Sequence, residues 1–95
     1  MLVLCDRLRE LREDIGLKQE ELAIKLNISR STYANYEIGR AEPNISILID
    51  IANFHGVSID YLCGNTHIRD NYYKDPRLCK YINKCLLLYK EFLRP

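Results

Sequence analysis

The chain has 95 residues, 47% of them hydrophobic, with 14 Lys/Arg against 13 Asp/Glu and a net charge of +1. That length allows one small domain with an appendage. The composition excludes a disordered polymer, and no apolar run of about 18 residues is present to span a membrane. The charge is unevenly placed: residues 1–64 carry seven Lys/Arg against ten Asp/Glu, a net of −3, and residues 65–95 carry a net of +4.

Cysteines at 5, 63, 79 and 85 form no C-x-x-C pair, and only two histidines are present. No zinc site is therefore expected, and the thiols read as reduced ones of a cytoplasmic protein. The opening MLVLCDRLRE lacks a basic n-region and meets a charge at Asp6, so it does not read as a signal peptide.

A first helix is expected from about Val3 to Asp14, with Leu4, Leu8, Leu11 and Ile15 forming a buried stripe and Gly16 ending it. Arg7, Arg9 and Arg12 with Glu10, Glu13 and Asp14 read as a solvated, salt-bridged face. Leu22, Ala23 and Leu26 give a second, short amphipathic helix. Asn27 follows, a residue that tolerates the left-handed conformation of a sharp helix exit. Ile28 plugs the corner, and Ser29 caps the next helix. That third helix buries Tyr33 and Tyr36, with Ala34 at its edge, and turns Arg30, Ser31, Thr32 and Asn35 outward. Two helices joined by so short a turn have the helix-turn-helix geometry, which offers the second helix to a DNA major groove.

Asn44, after Pro43, is the expected N-cap of a fourth helix carrying Ile45, Leu48, Ile49, Ala52 and Phe54, with His55 near its end. Gly56 closes it. Ser58 caps a short fifth helix that turns Ile59, Tyr61 and Leu62 inward, and Gly64 ends the domain. NTHIRDNYYK breaks the helical period and reads as linker. Asp75-Pro76 then signals a new start, an N-cap followed by proline at the first helical position. Leu78, Ile82, Cys85, Tyr89 and Phe92 step by four, three, four and three along an amphipathic helix of about 18 residues. The division is 1–64 as DNA-binding domain, 65–75 as linker and 76–95 as C-terminal amphipathic helix, a candidate dimerisation element. Folding back onto the bundle and resting on a membrane surface are the other uses of such a helix.

The words LKQEELA, NISRST, Y-E-x-G-R, PNISIL and GVSIDYL, in this order over roughly residues 4–64, carry a resemblance. The stretch resembles the helix-turn-helix of phage repressors of the Cro and lambda-repressor type and of the small XRE-like bacterial regulators. The resemblance implies an all-α fold, a five-helix lambda-repressor-like bundle to which this chain adds a C-terminal amphipathic helix. It places Arg12 and Glu37 where these proteins pair an arginine with an acidic residue, a structural clamp that binds no base. It places Gln19 where a glutamine touches phosphate and braces the recognition helix.

Two positions depart from the pattern. Lys18 stands where Ser or Thr usually caps the second helix; it is either a phosphate contact replacing the hydroxyl or an ordinary surface lysine. Tyr33 replaces Ile or Val, and its hydroxyl is expected to emerge at the edge of the DNA face. The expected DNA-binding residues are Lys18, Gln19, Ser29, Arg30, Ser31, Thr32, Asn35 and Arg40. Arginine can bracket guanine O6 and N7, asparagine can bracket adenine N6 and N7, and Arg40 lies where backbone phosphate is met.

The expected function is sequence-specific transcriptional regulation, as a repressor, by a homodimer on a two-fold symmetric operator in double-stranded DNA. The alternative is an adaptor or antitoxin subunit that uses the C-terminal helix to bind another protein. No cofactor, metal or small-molecule ligand is expected. No nucleophile–base pair or Gly-rich phosphate loop suggests an enzyme.

Overall fold

The computed structural model describes residues 2–71 and 74–93, with Leu2 described by its backbone only. Met1, Arg94 and Pro95, at the outer edges of the first and last segments, lie outside the described residues, as do residues 72 and 73 of the expected linker. Among the described residues six helices follow one another: α1 Leu2–Asp14, α2 Gln19–Lys25, α3 Arg30–Ile38, α4 Ile45–His55, α5 Ile59–Leu62 and α6 Pro76–Leu93. The fold is all-α. An isolated antiparallel bridge between Val57 and Asp70 is the extended pairing recorded among the described residues.

Local chemistry sets the boundaries. Gly16 has φ +70° after α1, and Asn27 has φ +58° at the α2–α3 corner, which an asparagine accepts more readily than a branched residue. Ser29, Asn44 and Ser58 cap α3, α4 and α5 by accepting from the backbone amides of Thr32, Ile47 and Tyr61. Asp75 Oδ1 accepts from the amides of Arg77 and Leu78, which starts α6 at Pro76. Lys18 has no acceptor with which to cap α2. Half of a capping box survives, because the Glu21 carboxylate takes the Lys18 backbone N–H at 3.0 Å.

Leu4, Leu8 and Leu11 of α1 meet Leu22 and Ala23 of α2, Tyr33 and Tyr36 of α3, Ile51 and Ala52 of α4, and Tyr61 and Leu62 of α5 in one core. Leu26 and Val57 complete it, and Leu17, Ile28, Ile47 and Leu48 pack against its edge. The helix-turn-helix is therefore held from behind by α1, which packs on α3, while α4 and α5 close the far side.

Several apolar residues lie elsewhere than the periodicity implies. Ile15 is 49% exposed, because α1 ends at Asp14 and Ile15 belongs to the turn rather than the stripe. On α4 the buried residues are Ile51 and Ala52, with Ile47 and Leu48 beside them. Ile45, Ile49 and Phe54 face solvent, since Ile49 is rotated about 100° from Leu48 on the helix. Ile59, the first residue of α5, is also exposed. Tyr33 does not emerge at the surface: it is fully buried, and its hydroxyl donates to the Leu8 carbonyl at 3.4 Å. Burial, with the Glu37 carboxylate nearby, pushes its phenol far above the ordinary tyrosine range.

Arg7 is not a solvated surface charge. It is half-buried, donates to the carbonyls of Tyr61 and Thr66, and stacks 4.1 Å from the centre of the Tyr61 ring. The first part of the segment after Gly64 is also fastened down. The Ser58 amide donates to the Arg69 carbonyl at 2.9 Å. The Arg69 guanidinium reaches the Tyr61 hydroxyl at 3.2 Å and Asp14 at 3.1 Å. Tyr61 is thus gripped by two arginines, and the chain is strapped to the bundle as far as Asp70. Beyond it, α6 buries none of its described residues and has no extensive packing against another helix.

Candidate nucleic-acid interface

The second helix of the helix-turn-helix begins at Arg30, directly after the Ser29 cap, and its first turn faces solvent. Arg30 and Ser31 are exposed; Thr32 and Asn35 are half-buried. Ser29 Oγ hydrogen-bonds to Thr32 Oγ1 at 2.7 Å and to Ser31 Oγ at 3.2 Å, besides accepting the Thr32 amide at 3.1 Å. Three hydroxyls are therefore knit together at one helix terminus, with Arg30 among them. Their backbone N–H groups and the partial positive charge of the terminus favour an anion there.

The start of α2 lies beside this turn. Lys18, Gln19, Glu20, Arg12 and Arg30 line a single groove, so the structure brings Lys18, Gln19 and Arg30 together on one surface. Arg40 is placed apart, in the loop beyond Gly39 at the other end of α3. Gly39 has φ +80°, and the Gly39 and Arg40 amides both donate to the Asn35 carbonyl. This closes the helix and carries the chain away from it.

Beneath the groove, Glu37 is 4% exposed. Arg12 donates to it twice, Nε to Oε2 at 2.7 Å and Nη2 to Oε1 at 3.0 Å, and gives its third bond to the Leu17 carbonyl at 2.9 Å. Gln19 Nε2 adds a contact to Glu37 Oε1 at 3.2 Å. Arg12 and Glu37 thus form a bidentate ion pair. Burial alone pushes the Glu37 carboxyl up, but the hydrogen bonds it accepts outweigh this and hold it below the usual carboxylate range. The hydrogen bond to Glu37 in turn raises Arg12. Gln19 therefore ties the start of α2 to the last turn of α3.

The periodicity could not show that Arg7 and Arg69 converge on Tyr61, because Arg69 lies in a segment without regular pattern. The one available signal was the position of Arg7 on the flank of the Leu4, Leu8 and Leu11 stripe.

Against known proteins, the helix-turn-helix family model matches residues 8–62. The chain belongs to the helix-turn-helix family. It is 39% identical over 74 residues to a SPbeta prophage-derived HTH-type transcriptional regulator, YonR, of Bacillus subtilis, covering 75% of this chain and 68% of YonR. It is 35% identical over 66 residues to the cryptic phage CTXphi transcriptional repressor RstR of Vibrio cholerae, covering 70% of this chain and 59% of RstR. The crystal structure of a transcriptional regulator from Listeria innocua superposes with a TM-score of 0.62 at 28% identity, covering 88% of this chain and 76% of that one. As a member of this helix-turn-helix family the chain is a DNA-binding transcriptional regulator and not an enzyme. Among the described residues no helix is long and apolar enough to cross a membrane, and no cluster of His, Cys, Asp and Glu could hold a metal ion.

Proposed function

We propose that the protein is a sequence-specific repressor that binds a two-fold symmetric operator as a homodimer. The observation that carries the reading is the exposed first turn of α3, where Arg30 stands beside Lys18 and Gln19 over the Arg12–Glu37 pair. Arg30 and Asn35 read base edges in the major groove. Ser29 and Ser31 meet phosphate from the helix terminus, as do Lys18 and Gln19 from α2, and Arg40 meets the backbone at the far end of α3. Thr32, whose hydroxyl is engaged with Ser29, offers its methyl group to a thymine or its oxygen to phosphate. The repressor reading follows the relative RstR, a transcriptional repressor of a cryptic phage.

The dimer forms through α6, along Leu78, Ile82, Cys85, Tyr89 and Phe92. Half-sites then lie about one helical turn, roughly 34 Å, apart on one side of the duplex. Footprinting of the protein on a selected genomic fragment tests this: two protected patches one turn apart are expected, and a single isolated patch would refute the paired arrangement.

A second reading is favoured by the bare apolar face of α6, on which Tyr81, Leu88 and Phe92 are 66%, 57% and 87% exposed. An adaptor or antitoxin subunit would dock a partner protein there. The two readings separate on Arg30→Ala, which an adaptor tolerates and a DNA reader does not.

A further inference from the structure

We infer that α6 is the assembly surface of a tetramer, four copies of this chain contributing one α6 each to a four-helix bundle. The inference rests on the pairing of α6 between copies proposed above and fixes its order. The central seam, from Leu78 to Phe92, has the alternating four-three spacing with which helices interdigitate. A seam of that kind alone buries a narrow strip, and two-stranded pairs flank it with Glu and Lys.

The flanks of α6 carry neither. At 100° per residue, Cys79, Leu86 and Leu93 border the seam on one side, and Tyr81 and Leu88 border it on the other. The apolar surface therefore covers an unbroken arc of about 180°. A two-helix pair would leave its flanks in water, where Leu86, Leu88, Leu93 and Tyr81 are now 42%, 57%, 60% and 66% exposed. Apolar residues at both seam and flanking positions are the pattern of helices facing the core of a bundle.

The opposite half of α6 holds Arg77, Lys80, Lys84, Lys90 and Glu91, with Asn83 and one apolar residue, Leu87, which is 63% exposed. In a four-helix bundle all of these point outward, so no like charges meet in the core. The arc itself carries no charge with which to recognise a charged partner, and its repeat is complementary to itself. The α1–α5 bundle does not cover it, since none of the described α6 residues is buried. Closed two-fold symmetry joins two such pairs into a tetramer. Four recognition helices in one particle engage two operators at once.

Sedimentation equilibrium of the full chain without DNA tests the inference. The wild type is expected at four times the chain mass, Tyr81→Lys/Leu88→Lys at twice, and Ile82→Asp/Tyr89→Asp at the chain mass. All three should show the same thermal unfolding of the α1–α5 bundle, because α6 contributes nothing to its core. A wild type at twice the chain mass overturns the tetramer and leaves the dimeric regulator standing. A wild type at the chain mass overturns both. A tetramer that survives both double variants places the contact on another surface and overturns the inference. Binding to phosphatidylserine-containing vesicles without self-association overturns it in favour of a membrane surface.

Discussion

Arg12 and Glu37 join the first helix to the last turn of the recognition helix by two parallel contacts of 2.7 and 3.0 Å. Twenty-five residues apart in the chain, they fix the angle at which α3 leaves the bundle. Gln19 ties α2 to the same carboxylate, so α1, α2 and α3 share one anchor. Glu37→Ala leaves the Arg12 guanidinium without its main partner. Breaking a buried pair costs about 3 kcal/mol, and chemical denaturation should show a loss of that order. Arg12→Ala/Glu37→Ala should cost less than the two single changes added together.

The same carboxylate sets a pH dependence. Its folded pKa is depressed below its unfolded value, so its contribution is full above the unfolded value and is lost as pH falls through the folded one. Stability should therefore decline below about pH 4. Glu37→Gln should flatten that decline, measured as denaturation midpoint against pH. An unchanged acid slope would show that Glu37 is not the group responsible.

Lys18 separates stability from binding. Lys18→Ser supplies the missing N-cap acceptor and should stabilise the protein by about 1 kcal/mol. The same change removes a cation from the groove shared with Gln19 and Arg30. Operator affinity should fall, and the salt dependence should lose about one unit of slope. Equal affinity at all salt concentrations would make Lys18 an ordinary surface residue.

Gly64 has a packing reason beyond its turn. Its φ is +82°, and a Cβ there would lie 2.9 Å from Val3 Cγ1 on α1. Gly64→Ala should cost more than the roughly 1 kcal/mol of backbone strain alone. Val3→Ala in the same chain removes the Cγ contacts but keeps the Val3 Cβ at 3.2 Å, so it should recover part of the steric cost and leave the strain. Thermal melts of the three variants give the coupling directly.

Most of the bundle was legible because caps and periodicity agree. Ser29, Asn44 and Ser58 mark helix starts, and Gly16, Asn27 and Gly56 mark ends where the backbone takes positive φ. The Arg12–Glu37 pair was legible through family resemblance, since no local pattern links positions so far apart. What periodicity missed has two causes. Short helices begin or end within a turn, so Ile15 and Ile59 fall outside the buried stripe despite correct spacing. Tertiary contacts also override type: Tyr33 finds the Leu8 carbonyl inside the core, and Arg7 turns from solvent to two carbonyls and an aromatic ring.

The strap formed by Arg69 was illegible for the second reason. Its expected signature is local. Arg69→Ala should leave core amides such as Leu8 and Ile51 protected from hydrogen exchange, while Ser58, which donates to the Arg69 carbonyl, exchanges faster. Global stability should change by less than about 1 kcal/mol, because the Arg69–Asp14 pair is half-exposed.

The most direct test of the account is selection of genomic DNA fragments by the purified full chain, beside Arg30→Ala/Asn35→Ala. The account predicts an enriched near-palindrome that binds the wild type with strong salt dependence and is lost in the double variant, while both proteins melt alike. No enrichment by the wild type at low salt, or an identical fragment set from the double variant, would contradict it.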